Sequence, residues 1–133
     1  MNDDCVFCKI IEGDLPSHKI YETDDLIAFL DAEPVSKGHA LVVPKKHVET
    51  IHEAHDMDYM WNGIVKVSTA VKDAFNAEGV NVEQNNGEVA GQEVMHMHFH
   101  ITPRYTGEEI EIEYDRTELK SGEKLAEEIR SEI

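Results

Sequence analysis

Between residues 94 and 102 the chain reads V-M-H-M-H-F-H-I-T, which sets His96, His98 and His100 at every second position. An imidazole titrates near pH 6.5, so close to neutrality it serves as a nucleophile, a proton carrier or a metal ligand. In an extended strand successive side chains point to opposite faces. The three histidines therefore share one face, and Met97, Phe99 and Ile101 share the other. The apolar set belongs in the core. The imidazoles then line a sheet surface open to solvent or a ligand, because three buried rings would each need hydrogen-bond partners. Other readings of the ladder are a solvated face and a three-histidine metal set. A second group with chemistry is Cys5 and Cys8, a C-x-x-C spacing that lets both thiolates reach one tetrahedral Zn²⁺. A redox dithiol and plain core thiols are the other readings of that pair.

These groups need a scaffold to hold them. After the short segment C-V-F-C-K-I-I-E-G-D-L-P, Lys19 to Glu22 and Leu26 to Asp31 read as a hairpin around the polar turn Thr23-Asp24-Asp25. Gly38 to Pro44 is a third strand, ended by a proline that cannot donate to a ladder. From Asp56 to about Glu78, Met57, Met60, Trp61, Ile64, Val65, Val71 and Phe75 follow helical spacing, and Gly79 closes the helix. Val80 to Gln84 is a fourth strand, Asn85 to Gln92 a loop, and Glu93 to Pro103 the fifth strand, which carries the histidines. Beyond Gly107 the tail is charged, with a short strand at Ile110 to Tyr114 and a helix from about Ser121. The fold class is α+β: a mostly antiparallel five-stranded sheet with one long helix packed on it. At 133 residues the expectation is one domain, with its core at about 5–107 and the charged tail at 108–133.

The run His96-Met97-His98-Phe99-His100-Ile101-Thr102 resembles the mark of the histidine triad family, with Thr102 the one departure. The likeness extends over C-V-F-C-K-I-I, I-A-F-L-D-A-E-P, G-H-A-L-V-V-P-K-K-H, N-N-G-E-V-A-G-Q and the P-R-Y that follows the triad. It implies a nucleotide hydrolase that cleaves at the α-phosphorus of a purine nucleotide, such as a nucleoside phosphoramidate, through a nucleotidyl-histidine. His98 is then the nucleophile, with its Nδ1 proton held by a backbone carbonyl. His100 and His39 surround the phosphate. Gln92 and Asn85 are placed at the phosphoryl group, and Asp31 at the ribose hydroxyls. In the branch with the cysteine pair, the resemblance adds His47 and His96 to Cys5 and Cys8 as a closed structural zinc site. A dinucleoside polyphosphate hydrolase and a nucleotidyl transferase are alternatives among enzymes; a nucleotide- or metal-binding module without turnover is the alternative of another class. The family also implies a homodimer formed through the long helix and a sheet edge; the stripe of Met57, Trp61 and Ile64 supplies part of that interface or belongs to the ordinary core. One position departs: Glu93 stands where some nucleotide-binding members carry a small hydroxyl residue beside the leaving group. A carboxylate there repels a departing phosphate and favours an amine.

Composition limits the partners. Twenty-eight Asp and Glu against twelve Lys and Arg leave a formal charge of -16, which disfavours nucleic acid and anionic membranes. No apolar run approaches the roughly 20 residues of a membrane helix. The first residues lack a secretory pattern, so a cytoplasmic, reducing setting is expected for the two cysteines. A charge of this size suits a very salty cytoplasm, because the Debye length shrinks to about 3 Å at 1 M and self-repulsion is screened. The unfolding midpoint should therefore rise between low and molar salt; a flat or falling midpoint contradicts a halophilic setting.

Overall fold

A computed structural model describes residues 4–108 and 116–133. In chain order the elements are α1 (Val6–Glu12), β1 (Lys19–Glu22), β2 (Leu26–Leu30), β3 (Ala40–Pro44), α2 (Tyr59–Phe75), β4 (Gly79–Glu83), β5 (Phe99–Arg104) and α3 (Gly122–Arg130). The five strands form one antiparallel sheet in the order β1-β2-β3-β5-β4. This is the expected α+β architecture, with α2 as its long helix. The strand expected at Ile110 to Tyr114 lies outside the described residues.

The central strands explain how the sheet is covered. In β2 and β3 the apolar run is continuous, L-I-A-F-L and A-L-V-V-P, as it is when both faces of a strand are buried. Leu26, Ala28, Ala40 and Val42 face Met60, Ile64, Val67 and Val71 of α2, together with Met97 and Ile101. Ile27, Phe29, Leu41 and Val43 point the other way, into a second cluster with Cys5, Phe7 and Cys8. Helix α1 therefore roofs the face opposite α2. Its formation follows from local chemistry: Cys5 Sγ accepts the Cys8 N–H at 3.3 Å, as a capping side chain does, and Gly13 at φ 84° ends the helix.

Several expected boundaries move. Helix α2 ends at Asn76, in the left-handed region at φ 52°, and its backbone N–H donates to the Lys72 carbonyl. Asn tolerates that conformation better than most residues, so the helix stops three residues before Gly79, which instead pairs with Arg104 in the sheet. Of the stripe that reads as interface or core, Met57 and Ile64 are buried in the core, whereas Trp61 is 68% exposed and Val65 lies exposed one turn on. No helix among the described residues is long and apolar enough to cross a membrane.

Gly38 and His39 precede β3 rather than opening it. Gly38 adopts φ 92°, and a Cβ there would lie 2.5 Å from the Phe75 ring. Gly38→Ala should therefore lower the unfolding free energy by about 1–3 kcal/mol, from backbone strain and the displaced ring together. Urea denaturation measures it, and an unchanged midpoint contradicts the packing described.

Candidate active site and metal centre

The histidine run enters the sheet later than its alternation suggests. Only His100 belongs to β5; His98 lies in the irregular stretch just before it and His96 in a bend. The reason is Pro44. It ends β3 and has no N–H, so the ladder between β3 and β5 runs only from Ala40–Ile101 to Val42–Phe99. Upstream, the Met97 N–H donates to the Val48 carbonyl at 2.8 Å, and the His96 ring takes up the Pro44 carbonyl. Alternation still holds: Met97, Phe99 and Ile101 pack with the α2 cluster. The histidine face is not open, however. Phe7 of α1 stands edge-on to His98 with ring centroids 5.0 Å apart, His96 is 0% exposed and His98 only 7%.

His96 belongs to a quartet with Cys5, Cys8 and His47, whose ligand atoms all lie within 4.8 Å of one another. The His96 Nε2–H donates to the Pro44 carbonyl at 2.8 Å, which leaves Nδ1 as a lone pair facing the quartet. Burial pushes the His96 pKa down to about 4, against the opposing effect of the Pro44 hydrogen bond, so the ring stays neutral. Tetrahedral bonds of about 2.0 Å to nitrogen and 2.3 Å to sulfur imply ligand–ligand edges of roughly 3.3–3.8 Å. The His47–His96, Cys8–His47, Cys5–His96 and Cys8–His96 separations are 3.1, 3.2, 3.4 and 3.6 Å. These residues fit a metal ion.

The next histidine is held differently. The His98 Nδ1–H donates to the His96 carbonyl at 2.7 Å, so its Nε2 carries a lone pair. Burial lowers the His98 pKa as well, with the exposed Glu93 carboxylate among the weaker opposing charges. A chain of hydrogen bonds orders its neighbours. The Val35 N–H donates to His39 Nδ1 at 3.2 Å, which puts the His39 proton on Nε2. That proton points at His100 Nδ1, 3.0 Å away, so the His100 proton resides on its own Nε2. Asp31 Oδ2 lies 3.6 Å from His39 Nε2, and Asp31 Oδ1 accepts the Glu33 N–H. The His98 and His100 rings are 5.0 Å apart. Asp31, His39, His98 and His100 thus gather on one side of the sheet, beside the quartet.

Two expected residues sit apart from them. Gln92 is 2% exposed, and its side chain is engaged with backbone: Nε2 donates to the Glu49 and Val94 carbonyls, and Oε1 accepts the Gly87 N–H. It clamps the loop. Asn85 is half-buried beside Gly91, and none of the hydrogen bonds among the described residues ties its side chain to a histidine. The backbone carbonyl expected to hold the His98 proton is that of His96; groups that sequence reasoning passed over are Phe7 and the backbone of Val35 and Pro44. Only Phe7 left a signal, as one of the two apolar residues, with Val6, between the cysteines.

The buried quartet and the histidine relay on an antiparallel sheet define a histidine triad site. The HIT domain pattern matches residues 12–107. The chain belongs to the HIT domain family. It is 48% identical over 105 residues to the protein called "Protein hit" of Bacillus subtilis, spanning 77% of this chain and 72% of that one. It is 48% identical over 100 residues to an adenosine 5'-monophosphoramidase of Schizosaccharomyces pombe, spanning 75% and 74%. Among solved structures, a zinc-bound histidine triad protein of Mycobacterium smegmatis superimposes with a TM-score of 0.72 at 33% identity, over 85% of this chain and 84% of that one.

The quartet makes a prediction that needs no substrate. A thiophilic divalent metal should bind at one per chain, and at a free concentration about 1,000 times its Kd should stabilise the fold by about 4 kcal/mol. Cys8→Ser should abolish most of that gain. Thermal unfolding with and without chelator measures it, and equal midpoints in wild type contradict the site.

Proposed function

We propose that the chain is a nucleoside phosphoramidase in which His98 Nε2 attacks the α-phosphorus of a purine nucleotide. The observation that carries this reading is the 2.7 Å hydrogen bond from His98 Nδ1–H to the His96 carbonyl, which fixes the lone pair on Nε2. Burial keeps that ring neutral, and a neutral imidazole needs no base to activate it. In the first step an Nε2–P bond forms and the P–N bond breaks, with the departing amine taking a proton from solvent. In the second, water attacks the phosphorus, the Nε2–P bond breaks, and the water proton returns to solvent. Nucleoside monophosphate and amine are the products.

The neighbours have electrostatic work. His100, with its proton on Nε2, supplies a donor to the charge that develops on the non-bridging oxygens, and His39 behind it holds His100 in that tautomer. Asp31 receives the ribose hydroxyls, and Gln92 acts at one remove, clamping the loop that carries Asn85 toward the phosphate side. The exposed carboxylate of Glu93 favours an amine over a phosphate leaving group, which sets this reading ahead of a dinucleoside polyphosphate hydrolase. The relative's name, adenosine 5'-monophosphoramidase, supports the same choice.

Zinc is the metal that we assign to Cys5, Cys8, His47 and His96, on the donor set, the separations and the zinc-bound relative. When bound, a closed four-ligand site of this kind supplies structure and no reacting group. We also assign a homodimer, with Trp61 and Val65 of α2 and the exposed Val82 on the edge strand β4 as its apolar surface.

Replacing the nucleophile tests the whole reading. His98→Ala should lower hydrolysis of an adenosine phosphoramidate by at least about 10³-fold, with nucleotide binding retained. Wild-type rates in that variant would overturn the assignment of His98 as nucleophile, whereas tight binding by the native protein with no turnover would favour a binding module.

A further inference from the structure

Helix α1 covers the histidine face, yet no backbone pairing holds it there. Among the described residues, the backbone–backbone hydrogen bonds of 5–15 stay within the segment, from Lys9 to Cys5, Gly13 to Ile10, and Asp14 and Leu15 to Lys9. The first such bond to the sheet comes later, from the Leu30 N–H to the His18 carbonyl. Among the described residues, side chains seat the helix. Cys5 and Cys8 face His47 and His96, while Phe7, with Ile10 and Ile11, packs into the second apolar cluster.

Phe7 is the member of this group that reaches the reactive ring. Its edge-on contacts are to Phe29 at 5.6 Å, His96 at 6.0 Å and His98 at 5.0 Å between centroids, with interplanar angles of 69°, 71° and 83°. In sequence it lies between the two thiols, so anything that fixes both sulfurs fixes the backbone that carries Phe7. On its far side the ring rests on Phe29, which is buried in β2. The His98 ring is thus bounded by Phe7 on one flank and His100 on another.

We propose that Phe7 is a positioning residue for His98, and that it transmits metal occupancy of the Cys5–Cys8–His47–His96 quartet to the His98 ring. With the quartet filled, both cysteines are pinned to the sheet and Phe7 stands against the imidazole, which shields the Nδ1–H that His98 donates to the His96 carbonyl. Without the ion, α1 keeps only its apolar contacts, and that proton is exposed more often. The proposal rests on the quartet being a metal site and on His98 being the reactive ring, but its readout involves no turnover, so it survives or fails independently of the phosphoramidase activity. A rival route exists through His96 itself, which is both a member of the quartet and the acceptor for His98.

Imidazole-proton NMR on nitrogen-15-labelled protein separates the two routes. The His98 Nδ1–H signal is assigned by its loss in His98→Gln. Its exchange with solvent is measured in wild type and in Phe7→Ala, each with one equivalent of Zn²⁺ and after chelation. In wild type, chelation should speed exchange about tenfold, on the scale of one lost edge-to-face aromatic pair. In zinc-loaded Phe7→Ala exchange should already be fast, and chelation should change it by less than about twofold because the coupling residue is gone. Phe7→Tyr keeps the ring edge and should restore both the slow exchange and the metal response. If Phe7→Ala folds poorly, Phe7→Leu takes its place with the same expectations. A chelation effect of equal size with and without the aromatic ring assigns the coupling to the His96 backbone and overturns the proposal, as does wild-type exchange in zinc-loaded Phe7→Ala.

Discussion

The hydrogen bond from His98 Nδ1–H to the His96 carbonyl decides which nitrogen of the central histidine is available for chemistry. His96 uses every polar group that it brings to this point. Its carbonyl orients His98, its Nε2–H holds the Pro44 carbonyl at the end of β3, and its Nδ1 faces two thiols and a second imidazole. One buried residue therefore joins the His98 ring, the end of a central strand and the Cys5–Cys8–His47–His96 quartet. Loss of any of these contacts would leave a buried polar group without its partner, which costs about 1–3 kcal/mol.

Burial gives the arrangement its effect. In water, solvent would compete for the imidazole protons and both tautomers would be populated. Under α1, His96 and His98 are desolvated, which holds both rings neutral. The relay from Val35 through His39 to His100 orders the remaining protons in the same way, each ring accepting on one nitrogen and holding its proton on the other. The site is thus set before any ligand enters, and this preorganisation is what the proposed attack at phosphorus relies on.

Much of this was legible in the residues and some was not, for identifiable reasons. The period of two placed Met97, Phe99 and Ile101 in the core, and that alternation persists where regular pairing has stopped. The strand at Lys19 to Glu22 lies where the hairpin reading put it, and α3 begins one residue after Ser121. The openness of the histidine face was misjudged because its cover comes from residues some ninety positions away. No periodicity announces α1: it is 7 residues long and is capped by a thiol rather than a hydroxyl or carboxylate. The late start of β5 follows from Pro44, a residue on another strand. Gln92 could be picked out from its motif, yet only coordinates reveal that its amide spans Glu49, Val94 and Gly87. The helical stripe likewise did not distinguish Met57 and Ile64, which go inward, from Trp61, which stays outside.

A covalent bond between His98 and phosphorus requires two in-line displacements, and each inverts the phosphorus. Hydrolysis of a single diastereomer of an adenosine phosphoramidothioate in ¹⁸O-labelled water, with the configuration of the product determined, therefore tests the central claim directly. Net retention at phosphorus is the expected result. Net inversion would mean that water attacks in one step, and would contradict a nucleophilic His98.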